Sequence, residues 1–181
     1  MLTKLTRRQY GLTAALCGLT AVGIYLFMIH VTLAHIQTVS GMVPFDMRPF
    51  GYSPDEATRL LTALEDTGRA YYLTRQIPLD IVYPALLALT LISANFWFGS
   101  SLPNKSIIRA GAVFSIAAAV ADYSENLGIS MMLLGWPNLP DTLVLASSIA
   151  SSLKAFLTTV AALITIFIAA NWTRRKYLSG R

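Results

Sequence analysis

Cysteine, histidine and charge are all scarce in this chain, and each scarcity excludes something. A single cysteine, Cys17, rules out an intrachain disulfide and any two-cysteine redox centre, and in the middle of an apolar segment it reads as a small packing residue. Two histidines, His30 and His35, without HExxH or CxxC, leave no recognised metal signature, so no metal site is expected. Nucleotide-binding glycine loops and GxSxG are missing as well. No sequence feature indicates a particular cofactor. Only 13% of residues are charged, against about a quarter in soluble domains. With 55% hydrophobic residues and a mean hydropathy of +0.56, the chain reads as an integral membrane protein.

What is present are four long apolar segments, at about residues 10–34, 76–98, 107–134 and 143–172. Each exceeds the roughly 20 residues that cross about 30 Å of hydrocarbon as a helix. The expected fold class is therefore all-α, a four-helix transmembrane bundle forming one domain over residues 1–181. The first segment follows Lys4, Arg7 and Arg8 as a signal peptide would. Its apolar stretch is too long for an h-region and no small-x-small cleavage site follows, so it reads as a retained helix.

The net charge of +5 does not point to nucleic acid, because its distribution follows topology. Lys4, Arg7, Arg8, Lys105, Arg109, Arg174, Arg175, Lys176 and Arg181 occupy three segments that contain no acid. By the positive-inside rule both termini and the 99–106 turn are expected to be cytoplasmic in a plasma membrane, with the basic tail facing anionic headgroups. Aromatic positions agree: Trp97 and Trp172 fall at the inner boundary, and Tyr71, Tyr72 and Trp136 at the outer one.

The loop from about 36 to 75 begins with the turn-rich "GMVPFDMRPFGY" and continues as a short amphipathic helix, about 54–68. Ser53 is a cap, Pro54 suits the first helical position, Glu56 completes a capping box and Gly68 suits the exit. Ala57, Leu60, Leu61 and Leu64 make one apolar face. The helix is expected to lie on the outer membrane surface or across the mouth of the bundle.

The candidate site is a layer of ionisable residues within the apolar segments. Asp122, Glu125 and Asn126 share one face of the third helix, and Ser147, Ser151 and Lys154 form a polar stripe on the fourth. Arg75, Asp80 and Tyr83 come from the second helix and His30 from the first. Each buried charge costs about 2.5–3.5 kcal/mol at a membrane-helix centre, so these groups should turn inward, with Arg75 and Lys154 neutralising two of the three carboxylates. Pro84 removes the intrahelical donor for the carbonyl of Asp80, and Pro78 the donor for Thr74, which suits a helix lining a cavity.

The resulting expectation is an outward-facing intramembrane pocket that takes a small or lipid-like ligand. Asp122 and Glu125 are the candidate proton donor and acceptor, and Lys154 the electrostatic stabiliser. Arg75, Asp80, Tyr83, Asn126, Ser151 and His30 are the candidate ligand-binding residues. Membrane lipids are the expected surroundings. Two other classes fit the same residues: an ion- or proton-coupled transporter or channel subunit, which would need a homo-oligomer, and an assembly factor in which the layer is structural.

Overall fold

The computed structural model describes residues 6–178 apart from 101 and 104. Lys4 and Arg181, two of the basic residues used above, lie outside the described residues. Among the described residues the chain is all-helical, and four helices are long and apolar enough to cross a membrane.

The first is α1 (Arg7–Phe27), which starts on a reciprocal Thr6–Gln9 capping box and runs through a π-helical turn, Met28–Thr32, into α2 (Leu33–Ser40). Gly41, at φ +66°, ends it in the left-handed conformation that glycine adopts without a Cβ penalty, and its N–H bonds the carbonyl of Gln37 at 2.8 Å. A 3₁₀ turn, Phe45–Met47, precedes α3 (Pro54–Tyr71). A second π-helical turn, Tyr72–Gln76, leads without a gap into α4 (Ile77–Gly99), followed by α5 (Ser106–Gly135) and α6 (Asp141–Leu178).

The start of α3 follows its end signals: Ser53 N–H donates to Glu56 at 2.8 Å and Glu56 N–H to the Ser53 hydroxyl at 3.3 Å. Its end departs from the expectation that Gly68 terminates it. The helical path breaks instead at Glu65 (φ 53°, ψ −173°), and the chain from Asp66 onward is helical into α4. Gly68 therefore serves packing. A Cβ there would lie 3.0 Å from Leu64 Cδ2 and 3.4 Å from Val39 Cγ1, so the missing side chain lets the folded-back turn close on α2 and α3.

Helix α4 is central: α1 packs along one side of it, and α5 and α6, which pack closely on each other, along another. Gly128 marks a tight α5–α6 approach, where a Cβ would come within 2.6 Å of the Ser147 side chain. The buried face of α3, formed by Ala57, Leu60, Leu61 and Leu64, closes one end of the bundle against α2, α5 and α6. At the opposite end, where α1 begins and α6 finishes, Trp97 and Phe98 pack on Trp172, with Arg7 and Lys176 over the Trp172 ring at 6.0 and 5.4 Å. Many large apolar side chains, among them Leu19, Leu134 and Ile149, point away from the bundle. In water that surface would be costly, whereas hydrocarbon accepts it.

Candidate functional site

The break at Glu65 sets the depth of the polar layer. Because helical structure resumes at Asp66, Asp80 lies 14 residues along it, or about 21 Å at 1.5 Å per residue. Lys154 lies 13 residues into α6 and Asp122 13 residues before the end of α5, about 20 Å in each case. Three helices thus bring charge to one level.

Lys154 is the counter-ion of the layer. Its ammonium pairs with Glu125 and sits 3.5 Å from Asp122 Oδ1. Glu125 is fully buried and Asp122 nearly so. Asn126, one helical turn from Asp122, donates to Asp122 Oδ1 at 3.2 Å and to the main-chain carbonyl of Asp80 at 2.9 Å. That carbonyl is the one Pro84 deprives of its intrahelical donor, so the side chain of α5 repairs the gap that proline leaves in α4.

Asp80 is held by a neighbour the sequence reading passed over. Gln76, fully buried and one turn earlier, donates to Asp80 Oδ2 at 2.7 Å while its own amide oxygen accepts from Thr32 of the first π turn. Arg75, expected here as a counter-ion, is exposed and makes no ion pair among the described residues. Adjacent residues point about 100° apart on a helix, so a turn that directs Tyr72, Gln76 and Asp80 inward directs Arg75 outward. His30 is likewise exposed, while Met28 and Thr32 on the same π turn are buried. The structure brings Asp80, Tyr83, Asp122, Glu125, Asn126 and Lys154 together, with Ser147 and Ser151 beside them, and leaves Arg75 and His30 outside.

A fourth carboxylate arrives from the loop. Asp46, on the 3₁₀ turn, accepts from the Tyr72 hydroxyl, which itself accepts from Phe45 N–H at 3.1 Å, and its carboxyl faces that of Asp80. Phe45 is fully buried and anchors the turn between Tyr52 and Tyr72. Tyr52 donates to Ser147 at 2.8 Å, and burial holds its phenol above the ordinary pKa, hence protonated and able to donate. Ser147 in turn donates to the carbonyl of Glu125 at 3.5 Å. The loop is therefore tied to the layer on both α4 and α6.

Beside these groups is a cavity of about 410 Å³. Asp46, Asp80, Asp122 and Lys154 form its polar wall; Tyr25, Met28, Ile29 and Leu33 line it from the first helical segment, and Ala155, Thr158 and Thr159 from α6. Tyr83 stacks on Tyr25 at its edge, ring centroids 5.7 Å apart. Its size is that of small-molecule sites, which combine apolar walls with a few placed polar groups. Among the described residues no cluster of three or more His, Cys, Asp or Glu side chains is arranged to hold a metal ion.

Asp46, Gln76, Thr32 and Tyr52 are absent from the sequence-based site. Gln76 had a signal, one turn before Asp80 on the same face. Asp46 had a weaker one, an acid between Phe45 and Met47 in a loop too apolar for free solvent. Compared with models of protein families, with curated proteins and with solved structures, the chain matches none.

Proposed function

We propose that the protein is a four-span plasma-membrane protein, with both termini cytoplasmic, whose cavity binds a lipid-like ligand admitted sideways from the bilayer. The observation that carries this reading is the composition of the cavity: its side walls come from the first helical segment, α1 to α2, and from α6, while three carboxylates and a lysine line its polar wall. An amphiphile suits such a site, tail between the apolar walls and headgroup on the charges. Acid–base chemistry on the headgroup fits the same wall, with Asp122 exchanging the proton and Lys154 stabilising developing negative charge, while Glu125, fully buried and off the cavity wall, holds Lys154.

Orientation follows from charge: Arg7, Arg8, Lys105, Arg109 and the Arg174–Lys176 cluster lie at the end away from α3. A reporter fused after the last residue is expected to be active in the cytoplasm. The pocket is tested by irradiating the protein in bilayers containing a lipid with a photoreactive group on its acyl chain. Adducts concentrated on Tyr25, Ile29 and Thr159 support lateral access. Adducts spread evenly over exposed apolar positions such as Leu19, Leu134 and Ile149 would refute it.

A further inference from the structure

The ligand-pocket reading leaves open which headgroup the cavity takes, and the hydrogen-bond inventory of the polar layer restricts it. Four carboxylates, Asp46, Asp80, Asp122 and Glu125, meet one ammonium, Lys154. If all are ionised the layer carries three uncompensated negative charges in a medium where each is costly. Lys154 is committed to the Glu125–Asp122 side. Gln76 gives Asp80 one neutral donor and Tyr72 gives Asp46 another.

A second observation, independent of charge, points the same way. Buried in this layer without a hydrogen-bond partner are Asp46 Oδ1, both carboxylate oxygens of Glu125, of which Oε2 is ion-paired with Lys154, and Asn126 Oδ1; of these residues Asp46 lines the cavity. All are acceptors, and no buried donor of the layer lacks a partner. The layer is thus short both of positive charge and of N–H or O–H groups, and the open acceptor on the cavity wall is Asp46 Oδ1. A neutral alcohol supplies a donor without charge, a quaternary ammonium supplies charge without a donor, and an anion adds to the excess. A protonated primary amine supplies one charge and three donors. Tyr25 and Tyr83, stacked on each other, line the cavity beside these groups.

We infer that the occupant is a primary-amine amphiphile, its ammonium seated against Asp46 and Asp80 on the cavity wall and its chain running between the first helical segment, α1 to α2, and α6. This rests on the lateral-pocket reading and narrows it. The same ammonium chemistry is offered by a bilayer amphiphile and by a small free amine, and chain length separates the two sources.

The test uses the full-length protein in nanodiscs of zwitterionic, amine-free lipid, titrated calorimetrically with dodecylamine, dodecyltrimethylammonium, dodecanol, dodecanoate and butylamine. Dodecylamine is expected to bind at least about tenfold more tightly than dodecanol or the quaternary analogue, consistent with charge-assisted hydrogen bonds, and dodecanoate least. Asp80→Asn and, separately, Asp46→Asn should remove most of the amine preference while leaving dodecanol binding within about twofold. Asp46 sits on the loop, so its variant keeps the test decisive should Asp80→Asn fail to fold. Equal binding of dodecylamine and dodecanol would overturn the amine assignment and leave the apolar pocket standing. Equal binding of the quaternary analogue would overturn the role of the donors. Butylamine binding as tightly as dodecylamine would overturn the amphiphile and favour a free amine. If no twelve-carbon probe binds, the pocket reading itself fails.

Discussion

The two halves of the bundle solve the same packing problem with different materials. At the end capped by α3, a large apolar cluster running from Met28 through Leu60, Leu61 and Leu64 to Ile129 and Val144 surrounds a connected polar layer with a cavity beside it. At the end holding the termini, a small cluster of Leu102, Ile108 and Ile168 suffices, bordered by Phe98, which packs on Trp172. Buried polar groups occur there too. Asn95 is fully buried against Gly111, with neither its amide nitrogen nor its oxygen partnered. The difference lies in connection. Asn95 stands alone, whereas the buried polar residues of the capped half are linked across all four helical segments and a loop, and linkage of that kind is what a binding site requires.

The comparison breaks most readily at Lys154. Lys154→Met strands Glu125 and Asp122, and unfolding in mixed micelles is expected to show a loss of about 3–5 kcal/mol. Arg75→Ala and His30→Ala, at sites the sequence ranked beside it, should stay within about 0.5 kcal/mol because both side chains are exposed. Next in size is the proline repair. Asn126→Ala leaves the Asp80 carbonyl unpaired and is expected to cost about 1–3 kcal/mol. In a Pro84→Ala background residue 84 regains an N–H for that carbonyl, so a double-mutant cycle should show the cost of Asn126→Ala reduced. Additive effects would mean that the two residues are not coupled through that carbonyl.

Tyr52→Phe removes the bond to Ser147, and about 1 kcal/mol of stability should go with it. The smallest effect belongs to the α3 cap. Hydrogen bonds from the Ser53 N–H and hydroxyl hold Glu56 below its ordinary pKa of 4.5. Its contribution to stability is therefore complete above about pH 4.5 and is lost as pH falls through its lower folded value. Glu56→Gln should flatten that acid limb slightly and lower neutral-pH stability by the same small amount, leaving stability at low pH unchanged.

The sequence was legible where a rule acts locally. Helix number follows from run length, and the start of α3 from Ser53 and Glu56, because capping involves residues three apart. The Asp122–Asn126 face and the Ser147–Lys154 stripe follow from helical spacing. The choice of Arg75 over Gln76 failed because depth alone does not fix which way a side chain turns, and the π turn at Tyr72–Gln76 shifts the phase of the helix. Asp46 was hidden for another reason: a loop residue reaches the layer through the packing of Phe45 and Tyr72, which no local pattern encodes. Glu65, a non-glycine residue at φ 53°, carries no break signal in its own side chain.

The most direct test is native mass spectrometry of gently extracted protein, wild type beside the Asp46→Asn, Asp80→Asn double variant. The wild type is expected to carry a defined additional mass, that of a bilayer-derived amphiphile, and the folded variant to lose it. A wild type without bound mass, in the same oligomeric state as an equally well folded variant, would contradict this and assign the polar layer to structure alone.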